Sequence, residues 1–157
     1  MSEITISRYR PDLAEAFQRL NRAWIERLFK VEESDLRTLR DPESSIVASG
    51  GQIFFALDGP VAVGTVAAAR ESDSVFELAK MAVSPDVQGR GIGEMLGRAA
   101  ITYAKEQGAS LMFLETNSAL ENAIRLYERL GFTHAPRRHP THYERSDVYM
   151  ELRFDKP

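Results

Sequence analysis

Residues 83–93 read VSPDVQGRGIG, and the fold of the chain is read outward from this stretch. An apolar run ends at Ser84–Pro85, a glycine-punctuated turn follows, and residues 91–107 continue with apolar positions at helical spacing. The first backbone N–H groups of a helix have no partner inside the helix and, with the helix dipole, attract anions. Glycine also lets a phosphate approach the backbone closely. The stretch therefore predicts a site for a pyrophosphate-bearing ligand, with a plain glycine-rich turn as the alternative.

Alternating strand and helix patterns surround this stretch on both sides. Before it, the patterns predict one strand, two helices and three strands; after it they predict helix, strand, helix and strands. The predicted strands are 3–8, 52–57, 61–69, 75–83, 110–116 and 147–154. Four helices are predicted. The first begins at Pro11, and the others cover 32–40, 91–107 and 119–130. This order predicts an α/β fold with a mixed central sheet of six to seven strands and about four helices.

Composition excludes several classes of protein. The 157 residues fit a single domain, 1–157, and 43% are hydrophobic and 27% charged, as in soluble globular chains. A net charge of −3 argues against nucleic-acid binding. The absence of cysteine removes disulfides, thiolate metal sites and any acyl-cysteine intermediate. With no apolar signal core or membrane span, we expect a cytoplasmic protein without a membrane partner.

Two motifs resemble those of one enzyme family. Gln88–Gly93 (QGRGIG) is similar to the Q/R-x-x-G-x-G/A motif of the GNAT N-acetyltransferases, and residues 123–132 (AIRLYERLGF) are similar to their A-x-x-L-Y-E-x-x-G-F motif. They occur in the family's order with strand 110–116 between them. The resemblance extends over residues 3–154, although the first sixty match only in element order. It implies a GNAT-like fold, acetyl-CoA as acyl donor, a small-molecule or peptide primary amine as acceptor, and direct attack in a ternary complex.

The resemblance also assigns residues to acetyl-CoA. The backbone of the first motif would hold the pyrophosphate, and strand 75–83 would contact the pantetheine arm and supply an oxyanion N–H. The implied cofactor-binding residues are Met81, Ala82, Val83, Gln88, Gly89, Arg90, Gly91, Ile92 and Gly93. An asparagine that many family members carry is replaced by Leu120. Asn117 or Asn122 would substitute for it, unless Asn117 is simply a cap or turn residue.

Two residues are implied to be catalytic. Tyr127 matches the tyrosine that protonates the leaving thiolate, and its alternative is an ordinary core tyrosine. Glu77 matches a glutamate that some members use as general base, and its alternative is a solvated charge. Strict alternation would place Glu77 on one face with Ala79, Met81 and Val83, and Lys80 on the other.

Residues 134–146 (HAPRRHPTHYERS) contain all three histidines, at positions 134, 139 and 142. No carboxylate or cysteine pattern supports a tetrahedral metal site, so no metal is predicted. Arg137, Arg138 and Arg145 would either bind an anionic acceptor or be solvated. Two functions from other classes stay open: an acyl-CoA-binding regulatory domain without turnover, and a partner-binding module. The family resemblance leaves a homodimer open.

Overall fold

The computed structural model describes residues 3–141 and 143–154. Its strands are β1 (Ile4–Arg8), β2 (Gln52–Asp58), β3 (Val61–Arg70), β4 (Val75–Val83), β5 (Leu111–Thr116), β6 (Thr133–His134) and β7 (Val148–Arg153). Its α-helices are α1 (Ala14–Leu28), α2 (Glu33–Arg40), α3 (Ile92–Glu106) and α4 (Glu121–Arg129). Short helical turns cover Pro11–Leu13, Glu43–Val47 and Pro85–Val87. This mixed α/β architecture confirms the predicted fold class.

The seven strands form one mixed sheet in the order β1-β2-β3-β4-β5-β7-β6. Every pairing is antiparallel except that of β4 with β5, which is parallel and is connected through α3. The parallel pairing is short, because only residues 75–77 of β4 face residues 111–113 of β5. Beyond Glu77 the two strands diverge while β5 stays paired with β7. The sheet is therefore open along the second half of β4.

Two apolar clusters hold helices against opposite faces of the sheet. On one face Leu96 and Ala100 of α3 pack with Phe76 of β4, and all three are fully buried. On the other face Phe17 of α1 packs with Phe55 of β2, again without exposure. Each fully buried aromatic ring stabilises the fold by roughly 1.5–3 kcal/mol relative to exposure. The open part of β4 thus lies between two helical layers.

A β-bulge interrupts β4 at Lys80 and changes which face its later residues occupy. Lys80 has φ of 56°, and β4 gains one residue against β3 between the pairs Ala67–Ala79 and Thr65–Ala82. Such an insertion reverses the alternation beyond it. The prediction that Glu77, Met81 and Val83 share a face is wrong. Met81 and Val83 contact the α3 cluster, as Phe76 and Leu78 do, whereas Ala82 joins the α1 cluster.

Two helices carry apolar surface that the protein does not cover. The apolar stripe of α1 is buried at Phe17 and Leu20, but Trp24 is half-buried and Leu28 is 49% exposed. Within α4 no residue is fully buried, although Ile124 and Tyr127 pack against the core at its edge. Both uncovered faces border the opening beside β4. Among the described residues, no helix has the length and apolar character needed to cross a membrane.

Candidate active site

The divergence of β4 and β5 opens a cleft of about 730 Å³ that runs between the two faces of the sheet. Residues 77–83 of β4 form one wall and residues 115–117 form the other. The start of α3 and the apolar side of α4 line one end, and the last turn of α1 with Tyr143 and Arg145 lines the other. The edge of β4 beyond Glu77 has no strand partner on this side, so an extended ligand can pair with it.

The turn before α3 and the first turn of α3 contain a row of six backbone amides unpaired in the described chain, and five of the six residues that carry them line the cleft. Gly89 and Gly91 have φ of 86° and 77°, a conformation that glycine adopts without strain. The first helical bond of α3 runs from the Met95 N–H to the Gly91 carbonyl, at 3.1 Å. Within the described chain, no acceptor receives a hydrogen bond from the six amides of residues 89–94. Free N–H groups at a helix N-terminus are suited to donate hydrogen bonds to phosphate oxygens.

Gly93 has a packing role that the sequence analysis missed. A Cβ at this position would lie 3.0 Å from Leu126 Cδ2, so the missing side chain lets α3 approach α4 closely. The same hypothetical Cβ would lie 3.7 Å from Met81 Sδ of β4. The second glycine of the motif therefore sets the distance between the two helices that flank the anion site.

The structure brings the predicted cofactor-binding residues into the cleft with one exception. Arg90 is exposed and does not line it. The predicted cofactor-binding residues that line the cleft are Met81, Ala82, Val83, Gln88, Gly89, Gly91, Ile92, Gly93, Asn117 and Asn122.

Glu77 lies at the point where β4 and β5 separate, and it faces the cleft half-buried. Burial raises the pKa of this carboxyl to about 8, and the negative charges of Glu115 and Glu71 add to the increase. The positive charge of Lys80 acts in the opposite direction. Its carboxyl makes no hydrogen bond with any part of the chain that the structure describes. A carboxyl with a pKa near 8 can exchange a proton with an amine near neutral pH.

Tyr127 faces the cleft from α4. Its ring meets Phe132 edge-to-face at 6.3 Å, and its hydroxyl has no hydrogen-bond partner among residues 3–141 and 143–154. Burial raises the pKa of the phenol to about 12, so the hydroxyl stays protonated at neutral pH. A buried tyrosine hydroxyl usually has a partner. Its freedom here leaves it available as a proton donor.

Both polar atoms of the Asn117 side chain are used inside the protein. Its Oδ1 accepts from the Ala119 N–H at 2.8 Å, and its Nδ2 donates to the Arg145 carbonyl at 2.6 Å. This is the geometry of a turn residue, the alternative that the sequence left open. Asn122 is exposed at the cleft edge, where it accepts a hydrogen bond from Arg125. Leu120 also lines the cleft and precedes α4 without capping it.

A buried charge cluster joins β4, α2 and the loop before β7, and sequence reasoning missed it. Asp35 is fully buried and accepts hydrogen bonds from Lys80 Nζ at 2.6 Å and from both terminal nitrogens of Arg145, at 2.7 and 2.8 Å. Lys80 Nζ also donates to the Tyr143 hydroxyl at 3.1 Å. Burial alone would raise the pKa of Asp35, but the bonds from Arg145 and Lys80 lower it to about 2. The only sequence signal was the charged Lys80 in a strand that is apolar apart from Glu77 and Lys80.

Each of the three arginines in the loop between β6 and β7 is paired with a carboxylate of the protein itself. Arg137 bonds Glu115 of β5, Arg138 bonds Glu151 of β7, and Arg145 bonds Asp35. These pairs hold the loop in place, and its residues Tyr143, Arg145 and Ser146 line the cleft. The arginines are thus neither ready to bind an anionic acceptor nor simply solvated.

The two described histidines of residues 134–146 form no recognisable metal site. His134 lies beside Glu128, and His139 packs edge-to-face on Phe113 at 4.9 Å. His142 lies outside the described residues. Among those that are described, no group of three or more His, Asp or Glu side chains is placed to hold a metal ion.

Comparison with known proteins identifies the family. The model of the acetyltransferase (GNAT) family matches residues 12–132, from before α1 to the second motif. The chain belongs to the GNAT acetyltransferase family. Its GNAT domain resembles an acetyltransferase of the family from Staphylococcus aureus, with a TM-score of 0.89 and 22% identity over 98% of this chain and 100% of that one. It also resembles yncA of Salmonella typhimurium, solved with its cofactor acetyl-CoA, with a TM-score of 0.77 and 22% identity over 99% and 96% of the two chains.

Curated sequence relatives of this GNAT domain are longer proteins. An N-acetylaspartate synthetase of Xenopus tropicalis is 39% identical over 106 residues, which are 65% of this chain and 39% of that protein. The first curated relatives are matched over only 32% to 39% of their length. The shared segment accounts for the acetyltransferase domain and not for the remainder of those proteins.

Proposed function

We propose that the chain transfers an acetyl group from acetyl-CoA to a primary amine, by direct attack of the amine within a ternary complex. The observation that carries this proposal is the row of six free amides at the start of α3, continuous with the unpaired edge of β4. A pyrophosphate fits the first feature and an extended amide-containing arm fits the second. The uncovered apolar side of α4 would pack against the same arm.

The acyl transfer then proceeds at the end of the unpaired edge. The amine nitrogen attacks the thioester carbon, an N–C bond forms, and the C–S bond breaks to release the thiolate. A backbone N–H of Met81 or Ala82, beside the bulge, stabilises the negative oxygen that develops. No acyl-cysteine intermediate can form, since the chain lacks cysteine, and direct attack by the amine is the favoured route.

Two protons move in this reaction, and the proposal assigns each to a side chain. Glu77, as carboxylate, accepts the proton that the ammonium of the acceptor must lose, directly or through a water. Tyr127 donates a proton to the thiolate and recovers one from solvent. The environments of the two groups support these roles, because neither group has a hydrogen-bond partner in the described chain and burial raises the pKa of each. The products are an amide and the free thiol of CoA.

Release of free thiol tests the function directly. The protein contributes no thiol background, because it contains no cysteine. We expect acetyl-CoA to raise the melting temperature, and a panel of primary amines to include one that releases thiol at a rate proportional to enzyme. Stabilisation without thiol release from any amine would favour the regulatory domain that binds acyl-CoA without turnover. Absence of both effects would contradict the proposal.

A further inference from the structure

The end of the cleft that lies beside α1 has an apolar wall next to a free cation. Trp24, Leu28 and Phe29 line this end, and Leu28 is 49% exposed. Trp24 and Phe29 meet edge-to-face at 6.2 Å, which gives the wall a fixed aromatic corner. Arg27 lines the same end. Apolar surface that faces a binding cleft is normally covered by the ligand.

Arg27 differs from every other cation of the cleft. Lys80 and Arg145 are paired with Asp35, and the cations near α4 have acidic neighbours, Glu121 for Arg125 and Glu94 for Arg129. Arg27 alone among the lining cations has no ion pair or hydrogen bond within the described chain. It also lies in the last turn of α1.

We propose that the acceptor is an amine that carries a free carboxylate and an apolar side chain, the chemistry of the apolar α-amino acids. The proposal rests on the proposed function. Arg27 binds the carboxylate, the wall formed by Trp24, Leu28 and Phe29 covers the side chain, and the amine is directed toward Glu77. A guanidinium matches a carboxylate in charge and in planar geometry.

The same charges disfavour other amines. A polyamine would bring further cations toward Arg27, which is paired with no carboxylate of the described chain. An acidic amino acid would place a second carboxylate against the apolar wall without a second free cation. The geometry therefore selects one carboxylate and one apolar group.

Fluorescence of Trp24, the single tryptophan of the chain, reports binding at this wall without any need for turnover. We would titrate the acetyl-CoA-bound protein at pH 7 with L-leucine, L-leucinamide, L-aspartate and spermidine. We expect L-leucine to bind about ten-fold more tightly than L-leucinamide, since an exposed charge-assisted contact contributes about this much. L-aspartate and spermidine should bind more weakly than L-leucine.

The variant Arg27→Gln should reduce the leucine-to-leucinamide ratio to about one and leave the thermal shift by acetyl-CoA unchanged. The matched control is Arg22→Gln, on the same helix, where Arg22 pairs with Glu26 and does not line the cleft. This control should keep the ratio. Equal binding of leucine and leucinamide to the wild type, tighter binding of spermidine, or an unchanged ratio in Arg27→Gln would overturn the proposal. Thiol release with leucine is measured in parallel. If leucine binds ten-fold more tightly than leucinamide but no thiol is released, only the proposed transfer is contradicted. If thiol is released but the two ligands bind equally, only this inference is contradicted.

Discussion

At the scale of single residues, neither of the two groups proposed for proton transfer has a hydrogen-bond partner among the described residues. Burial raises the pKa of both Glu77 and Tyr127, yet neither side chain makes an internal hydrogen bond in the described chain. Desolvation of an unpartnered polar group costs stability. Such a cost is typical of groups that serve a ligand.

Replacement of Glu77 by glutamine should remove a pH dependence from both rate and stability. The wild-type kcat/KM should rise with pH as the carboxylate forms near pH 8, and Glu77→Gln should lose this rise and turn over more slowly, with unchanged affinity for acetyl-CoA.

A carboxyl whose pKa is raised by folding stabilises the fold fully below its unfolded pKa of about 4.5, and this contribution is lost as pH rises through 8. Urea denaturation should therefore show that the free energy of unfolding of the wild type falls from pH 5 to pH 9, by at most about 5 kcal/mol. Glu77→Gln should not show this fall. A wild-type pH profile in the variant would mean that another group is the base.

Replacement of Tyr127 by phenylalanine should affect rate and spare stability. The ring keeps its contact with Phe132, and the lost hydroxyl has no partner in the described chain. We expect kcat to fall about ten- to several-hundred-fold, near the low end because a thiolate leaves readily, with a stability change within about 0.5 kcal/mol. Steady-state kinetics and a thermal melt on one preparation give both values. A large drop in melting temperature with unchanged kcat would instead identify a core tyrosine.

At the scale of elements, the start of α3 combines backbone conformation with ligand binding. Gly91 has φ of 77°, so Gly91→Val should lower the free energy of unfolding by about 1–2 kcal/mol and abolish the rise in melting temperature with acetyl-CoA. Gly108→Val is the matched control, because Gly108 follows the other end of α3 with φ of 88° and both sites are open. We expect the same loss of stability there with the rise retained. An equal rise in both variants would contradict the anion site.

The sequence predicted the elements better than the contacts between them. The helix predicted over 91–107 is observed as Ile92–Glu106, because helical periodicity and Gly108 determine its bounds. The strand predicted over 75–83 has the predicted bounds, because local periodicity determines them too. The bulge at Lys80 escaped prediction because it arises from the register of β4 against β3. The partner of Arg145 escaped too, since Asp35 is 110 residues away in the chain. Within the proposed site, the motif predicted the turn whose backbone amides have no acceptor in the described chain, while the proposed acceptor-binding end beside α1 became visible only in the three-dimensional arrangement.

At the scale of the whole molecule, one buried carboxylate connects parts of the chain that share no strand pairing. Asp35 on α2 bonds both Lys80 on β4 and Arg145 in the loop before β7. Lys80 and Arg145 also lie over the ring of Tyr143, at 4.7 and 4.6 Å from its centroid. The end of the cleft beside α1, which Tyr143 and Arg145 line, therefore depends on this cluster for its shape.

Loss of the Asp35 charge should destabilise the entire fold. Asp35→Asn removes the only carboxylate that is bonded to Lys80 in the described chain and leaves Arg145 paired with Glu32, so we expect a loss of about 3–5 kcal/mol in urea denaturation. Asp12→Asn, at an exposed pair with Arg10, should leave stability almost unchanged, because solvent screens such a pair. Because the pKa of Asp35 is lowered, its contribution is complete above about pH 4 and is lost as pH falls through 2. A variant as stable as the wild type would show that the cluster contributes nothing.

The reversal of facing at the bulge has a kinetic consequence. Met81 and Val83 face the α3 side of the sheet, whereas Ala82 faces the α1 side. In the proposed reaction, donor and acceptor would therefore approach the thioester carbon from opposite sides, and we expect the acetylated product to depart while CoA is still bound. Double-reciprocal plots should intersect for both reactants, and CoA should inhibit competitively against acetyl-CoA but not against the amine.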